Sequence, residues 1–196
     1  MELIVLATKN RGKARELQAM LGGAVARVES LAERPGVDLP PEGAASYREN
    51  ALAKARAVRA ALGVAAVGDD SGLEVDALGG APGITSARFA GEGAGDAANN
   101  ARLLEELRGL PPEKRGARFR CVLALVDAEG RETVVEGLCP GRILDAPRGT
   151  EGFGYDPLFL PDGETRTFAE LPPDVKNARS HRGRAAAALR RALESR

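Results

Sequence analysis

Aromatic residues are scarce in this chain. It has no tryptophan, five phenylalanines and two tyrosines among 196 residues, so any aromatic placed outside a core carries information. Cysteine is nearly absent too. Cys121 and Cys139 share no CxxC motif and no Cys/His ligand spacing, which argues against a disulfide framework or a zinc site and fits a reducing, cytoplasmic setting. There is one histidine. No charge of either sign is in excess: 28 lysines and arginines balance 28 aspartates and glutamates. A grip on polymeric nucleic acid normally needs a basic surplus, so a small phosphorylated ligand is the better expectation. No apolar run approaches the ~20 residues of a membrane span, and Met1 to Ala7 is too short and too acidic for a signal peptide.

What is present reads as a soluble α/β protein, 43% hydrophobic and 29% charged. A single domain over 1–196 is expected, formed of two lobes with no separable linker. Leu3 to Ala7 is a β-branched apolar run and reads as a first strand. Thr8 to Gly12 reads as a polar turn. From Lys13, the spacing of Ala14, Leu17, Met20 and Leu21 predicts an amphipathic helix. Ala24 to Leu31 reads as a second strand, and Pro35 to Gly43 as a loop. Ser46 and Glu49 form a capping box for a helix to about Leu62, stopped by Gly63. Asp96 is a plausible cap for a helix through Leu107. Phe119 to Val126 and Thr133 to Leu138 read as a hairpin turned at Asp127 to Gly130. Ala185 to Leu193 reads as the last helix. The sum is an α/β fold, an elongated mixed central sheet flanked by helices, with two lobes around a central cleft.

The richest segment is Gly68-Asp69-Asp70-Ser71-Gly72-Leu73, directly after the apolar run Val64 to Val67. A strand that ends in paired acids places them at the carboxyl edge of a sheet, where open α/β folds bind ligands. Adjacent carboxylates repel unless something positive lies between them, which calls for a divalent cation or a shared proton. Mg²⁺ arriving with substrate phosphates suits that chemistry. The same residues also make a good Asx-type turn.

Four further segments carry candidate chemistry. Thr8-Lys9-Asn10-Arg11-Gly12-Lys13 offers loop amides and a helix start to an anion, and it also reads as an ordinary turn. It is no Walker A loop, because the first glycine is missing and Ala14 follows the lysine. Glu42 precedes a helix on which Asn50 and Lys54 share a face. Gly152-Phe153-Gly154-Tyr155-Asp156-Pro157 holds two aromatics between glycines, a stacking surface for a base or a packing corner. Lys176-Asn177-Ala178-Arg179-Ser180-His181-Arg182-Gly183 gathers cations and the histidine near a helix start.

Together these segments resemble the inosine/xanthosine triphosphate pyrophosphatase family. The matching runs, collinear over essentially the whole chain, are Leu6 to Lys13, Glu49-Asn50-Ala51 with Lys54-Ala55, Asp69 to Leu73, Leu78 to Gly83 with Ser86-Ala87-Arg88, Gly152 to Pro157, and Ser180 to Gly183. The resemblance implies Mg²⁺-dependent cleavage of ITP, dITP or XTP to the monophosphate and pyrophosphate, by a homodimer. It implies Asp70 as the proton acceptor and a metal ligand, with Glu42 and Asp69 near the metal, and Ser71 on the substrate. Thr8, Lys9, Asn10, Arg11, Gly12, Lys13 and Lys54 would serve the phosphates, Lys13 taking part in catalysis. Phe153, Gly154, Tyr155, Asp156, Lys176, Ser180, His181 and Arg182 would form the base and phosphate pocket. Lys9 stands where glycine is common, and Pro41 where some members carry a second acid. A related enzyme for modified pyrimidine, dTTP or UTP nucleotides and a silent nucleotide-binding protein are the alternatives.

Overall fold

A computed structural model describes residues 1–41, 43 and 46–195. Among them the order is β1 (Leu3–Leu6), α1 (Arg11–Leu21), β2 (Arg27–Ser30), α2 (Tyr47–Leu62), β3 (Ala66–Val75), α3 (Asp96–Glu106), β4 (Gly116–Val126), β5 (Glu132–Ile143), β6 (Phe159–Pro161), α4 (Pro173–Arg179) and α5 (His181–Glu194), with short 3₁₀ turns between. The fold is mixed α/β. Its six-stranded sheet runs β2-β1-β3-β4-β5-β6; β1 is parallel to β2 and β3, while β5 and β6 are antiparallel.

The chain divides into two compact units. The first comprises Met1–Asp70, Cys121–Gly137 and His181–Arg196. β1 and the start of β3 are buried on both faces, and alternation sorts their side chains. Ile4, Leu6, Val67 and Cys121 join Ala14, Leu17, Leu21, Ala185 and Leu189 under α1 and α5. Val5, Ala7 and Ala66 point the other way and meet Val58 of α2.

The second unit comprises Ser71–Arg120 and Leu138–Ser180. Leu103 and Leu107 pack there with strand residues Leu73, Val75 and Ile143. The scarce aromatics concentrate at this point: Phe119, Phe159 and Phe168 sit with ring centroids 4.6 to 5.8 Å apart.

Several element boundaries differ from the sequence reading. Helix α1 begins at Arg11, because the Asn10 side chain caps it and draws Arg11 and Gly12 into the first turn. The second strand is only Arg27–Ser30, since Gly22–Ala24 forms a 3₁₀ turn first. Gly95, and not Asp96, is the residue before α3. Helix α5 starts at His181, and α4 is an added short helix. The capping box of α2 is as read: the Glu49 amide donates to Ser46 Oγ at 3.2 Å. The largest difference is β3, which continues through Asp69 and Asp70 to Val75.

Candidate active site

The acids reach a sheet edge without ending a strand. β1 pairs with β3 only at Val5–Ala66 and Leu6–Val67, and its last ladder bond runs from the Ala7 amide to the Val67 carbonyl, 2.8 Å. The chain then leaves for α1. Gly68, Asp69 and Asp70 therefore extend past the carboxyl end of β1, while β3 itself runs on to Val75.

The expectation that both carboxylates share one cation meets the geometry of a continuous strand. Successive side chains on a strand point to opposite faces. Asp70 takes the α2 face. Asn50 Nδ2 donates to its Oδ2 at 3.0 Å, and Lys54 Nζ lies 3.7 Å from its Oδ1. The same ammonium donates to the Asp69 carbonyl at 3.2 Å. Asn50, Lys54 and Asp70 are all buried.

Asp69 takes the α1/α5 face. Its Oδ2 lies 3.2 Å from Arg182 Nε and 3.5 Å from Lys13 Nζ, and Cys121 Sγ donates to Oδ1 at 3.6 Å. The repulsion between neighbouring acids is thus met by separation and by the protein's own cations. Arg182 sits in the first turn of α5, where the helix dipole disfavours a cation. Burial works against its charge as well. The Asp69 carboxylate, with smaller contributions from Cys121 and Glu16, outweighs burial and holds the guanidinium above its ordinary pKa.

Gly68 explains how α2 comes so close. A Cβ there would overlap the Ala51 carbonyl group and stand 3.1 Å from the Ala55 amide nitrogen. The glycine that reads as a turn signal is a contact glycine. Its bareness lets Asn50 and Lys54, one turn apart on α2, reach Asp70.

In the Thr8–Lys13 segment, Asn10 Oδ1 accepts from the amides of Gly12 (2.8 Å) and Lys13 (3.2 Å), and Thr8 Oγ1 accepts from the Asn10 amide. Two amides expected to cradle an anion are therefore engaged by the cap. Lys9 and Arg11 are exposed, and Lys13 is half-buried with its ammonium on Asp69.

Within the second unit, the two aromatics of the Gly152–Pro157 segment take different roles. Phe153 is 45% exposed, enough to offer a ring face, and Lys176 Nζ lies 5.0 Å from its centroid. Tyr155 is 4% exposed and donates its hydroxyl to the Ser86 carbonyl at 2.9 Å. Burial, aided by Asp96, pushes its phenol pKa up, so Tyr155 is a packing residue here and not a stacking surface. Asp156 is buried; its Oδ2 accepts from the Phe153 amide at 2.9 Å and pairs with Lys176. Ser71 is half-buried on β3, Ser180 is buried between α4 and α5, and His181 is buried at the start of α5. Gly154 has a left-handed φ of 62°.

Glu42 lies outside the described residues. Among the described residues, no group of three or more His, Cys, Asp and Glu side chains could together hold a metal ion. The donors at Asp70 are one carboxylate and the Asn50 carboxamide. That set fits a hard divalent ion that completes its shell with water and phosphate oxygens. The sequence singles out Asn50 through its shared helix face with Lys54 and assigns it no part in holding Asp70. Cys121 and Glu16 as neighbours of the Asp69–Arg182 pair had no sequence signal.

The mixed sheet and the buried carboxylate–cation clusters at its edge define the class: an α/β protein with a buried polar centre. The chain belongs to the Ham1 family, whose model matches residues 4–192. It is 50% identical over 190 residues to a dITP/XTP pyrophosphatase of Geobacter sulfurreducens, covering 97% of this chain and 96% of that protein. It is 53% identical over 192 residues to a dITP/XTP pyrophosphatase of Pseudomonas syringae pv. tomato, again 97% and 96%. The structure of a HAM1 protein from Coxiella burnetii superposes with a TM-score of 0.90 at 39% identity, covering 100% of both chains. Among the described residues, no helix is long and apolar enough to cross a membrane.

Proposed function

We propose that this protein hydrolyses non-standard purine nucleoside triphosphates, ITP, dITP and XTP, to the monophosphate and pyrophosphate, removing them from the cytoplasmic nucleotide pool. The names of its relatives support the substrate class. The observation that carries the chemistry is Asp70, a buried carboxylate oriented by Asn50 and Lys54 at a sheet edge.

Cleavage of a phosphoanhydride is governed by positioning and by neutralising charge. Asp70 is the acid that orients the attacking water and accepts its proton. Lys54, Lys13 and Arg182 meet the phosphate oxygens, with Thr8, Asn10 and the segment around them on the same duty. Asp69 fixes Lys13 and Arg182, and this replaces the metal role that its sequence position suggests. Mg²⁺ would be held by Asp70 and Glu42 together with phosphate oxygens, and it would supply neutralisation of the triphosphate. Phe153 stacks on the base, with Lys176 and Asp156 holding its loop. His181 or nearby amides offer donors suited to a 6-oxo purine. A 6-amino group would face a donor, a mismatch worth up to ~10⁴ in discrimination. Residues 1–196 act as one catalytic domain, and the assembly is a homodimer.

The test is a panel of nucleoside triphosphates, each with Mg²⁺ and with EDTA. Release of pyrophosphate from dITP, XTP and ITP, far above dATP, dGTP and dTTP and only with the cation, is the expected result. Release of orthophosphate, preference for a pyrimidine or binding without turnover would overturn the proposal. Light scattering reports the dimer.

A further inference from the structure

We propose that Asp96 and Asn100 are positioning residues that clamp Gly154 and so preset the face of Phe153. The two lie one turn apart on the first turns of α3, which places their side chains on one face. They take both polar backbone groups of a single glycine. The Gly154 amide donates to Asp96 Oδ2 at 2.7 Å, and Asn100 Nδ2 donates to the Gly154 carbonyl at 2.8 Å. Gly154 is the left-handed residue between Phe153 and Tyr155, so its backbone sets where each ring points. A left-handed glycine is the residue most free to move when unheld.

The neighbouring residue on α3 works the same way on the next turn. Asn99 accepts from the Ala90 amide at 2.8 Å and donates to the Ala87 carbonyl at 3.2 Å. That turn adjoins Ser86, whose carbonyl receives the Tyr155 hydroxyl. One helix start thus ties down both the loop and the turn that anchors it. Asp96 gains from its place at the positive end of α3, so its carboxylate is a fitting acceptor. A loop held in its working shape before the ligand arrives spends less of the binding energy on ordering.

The proposal rests on the reading of Phe153 as the base-stacking face. Asp96 and Asn100 touch no substrate in it, so their loss should weaken binding more than chemistry. Steady-state kinetics on dITP and hydrogen–deuterium exchange of the unliganded protein are measured for Asp96→Ala, Asn100→Ala, Asp96→Asn and Phe153→Ala. Removing one hydrogen bond of this kind should raise KM about three- to tenfold. Asp96→Ala and Asn100→Ala should do so with kcat within about twofold of the parent, and should speed exchange across residues 153–155. Asp96→Asn, which keeps an acceptor for the Gly154 amide, should restore both. Unchanged KM and exchange in the alanine variants, or Asp96→Asn behaving as Asp96→Ala, would overturn the clamp. Faster exchange in Asp96→Ala beside a normal KM in Phe153→Ala would instead overturn the reading of Phe153, a separable result.

Discussion

At the scale of single residues, the two neighbouring aspartates are not equivalent, and their variants should separate. Asp70→Asn keeps shape and the Asn50 contact but removes the acceptor for a proton. It should lower kcat on dITP by about 10²–10⁴ while the circular dichroism spectrum stays that of the parent. Asp69→Asn should keep the cation requirement, read as the Mg²⁺ concentration for half-maximal rate, and raise KM as Lys13 and Arg182 lose their anchor. A large increase in the Mg²⁺ requirement would return Asp69 to the metal. Asp69→Ala should cost about 3–5 kcal/mol of stability by denaturant unfolding, because it strands the buried Arg182 charge. Lys13→Ala should raise KM or lower kcat for ITP, and no change in either would leave that lysine a structural partner of Asp69.

The sequence singled out these residues and said little of their partners. Residue types declare chemistry: paired acids, a lone histidine and cations in a row stand out in a chain of zero net charge. Which face each one occupies depends on whether the strand continues, and the flanking glycines argued for a turn. Gly68 is there for the approach of α2, a tertiary reason that local propensity does not express. Tyr155 is the same lesson in reverse. Two aromatics between glycines look alike in sequence, and only the packing against Ser86 separates a buried ring from an exposed one.

At the scale of elements, close contact between helix and strand is what builds the polar centre. Gly68→Ala should force α2 outward. Overpacking of this kind costs about 1–3 kcal/mol, or about 2–12 °C in Tm for a chain of this size, and the displacement should impair turnover more than the stability loss explains. Gly137 repeats the device on β5, where a Cβ would overlap the His181 carbonyl oxygen and the Ala185 amide nitrogen of α5. The start of α5, with Arg182 in its first turn, is thereby pressed to the sheet.

In the second unit, Glu170 fastens a loop. Hydrogen bonds from Arg148, with the Thr167 amide in support, hold its carboxyl down at about 2. A depressed carboxyl stabilises the fold above its unfolded pKa near 4.5 and loses that contribution as pH falls toward 2. Glu170→Gln should therefore lower the thermal midpoint at neutral pH and flatten its acid dependence between about pH 5 and pH 2. Element starts were the least legible part of the fold, as at α1 and α5. Polar caps such as Asn10 act on hydrogen bonds two or three residues ahead, beyond what apolar periodicity registers.

For the whole molecule, the balance of 28 positive and 28 negative side chains predicts no salt-sensitive retention on immobilised duplex DNA at ~0.1 M salt. Retention that falls steeply with added salt would contradict it. Overall architecture was legible because buried parallel strands and amphipathic helices have distinct periods, whereas the interleaving of segments between the two units was not, since no change in composition marks a crossing.

That interleaving has a consequence for biosynthesis. Asp69 is translated more than halfway ahead of Arg182, and a ribosome works from the amino end, so the carboxylate waits for its guanidinium until α5 is made. A product of premature termination before that helix would carry both aspartates yet leave Asp69 with Lys13 and without Arg182. Competence is thereby tied to completion, and abortive fragments should be both inert and prone to proteolysis.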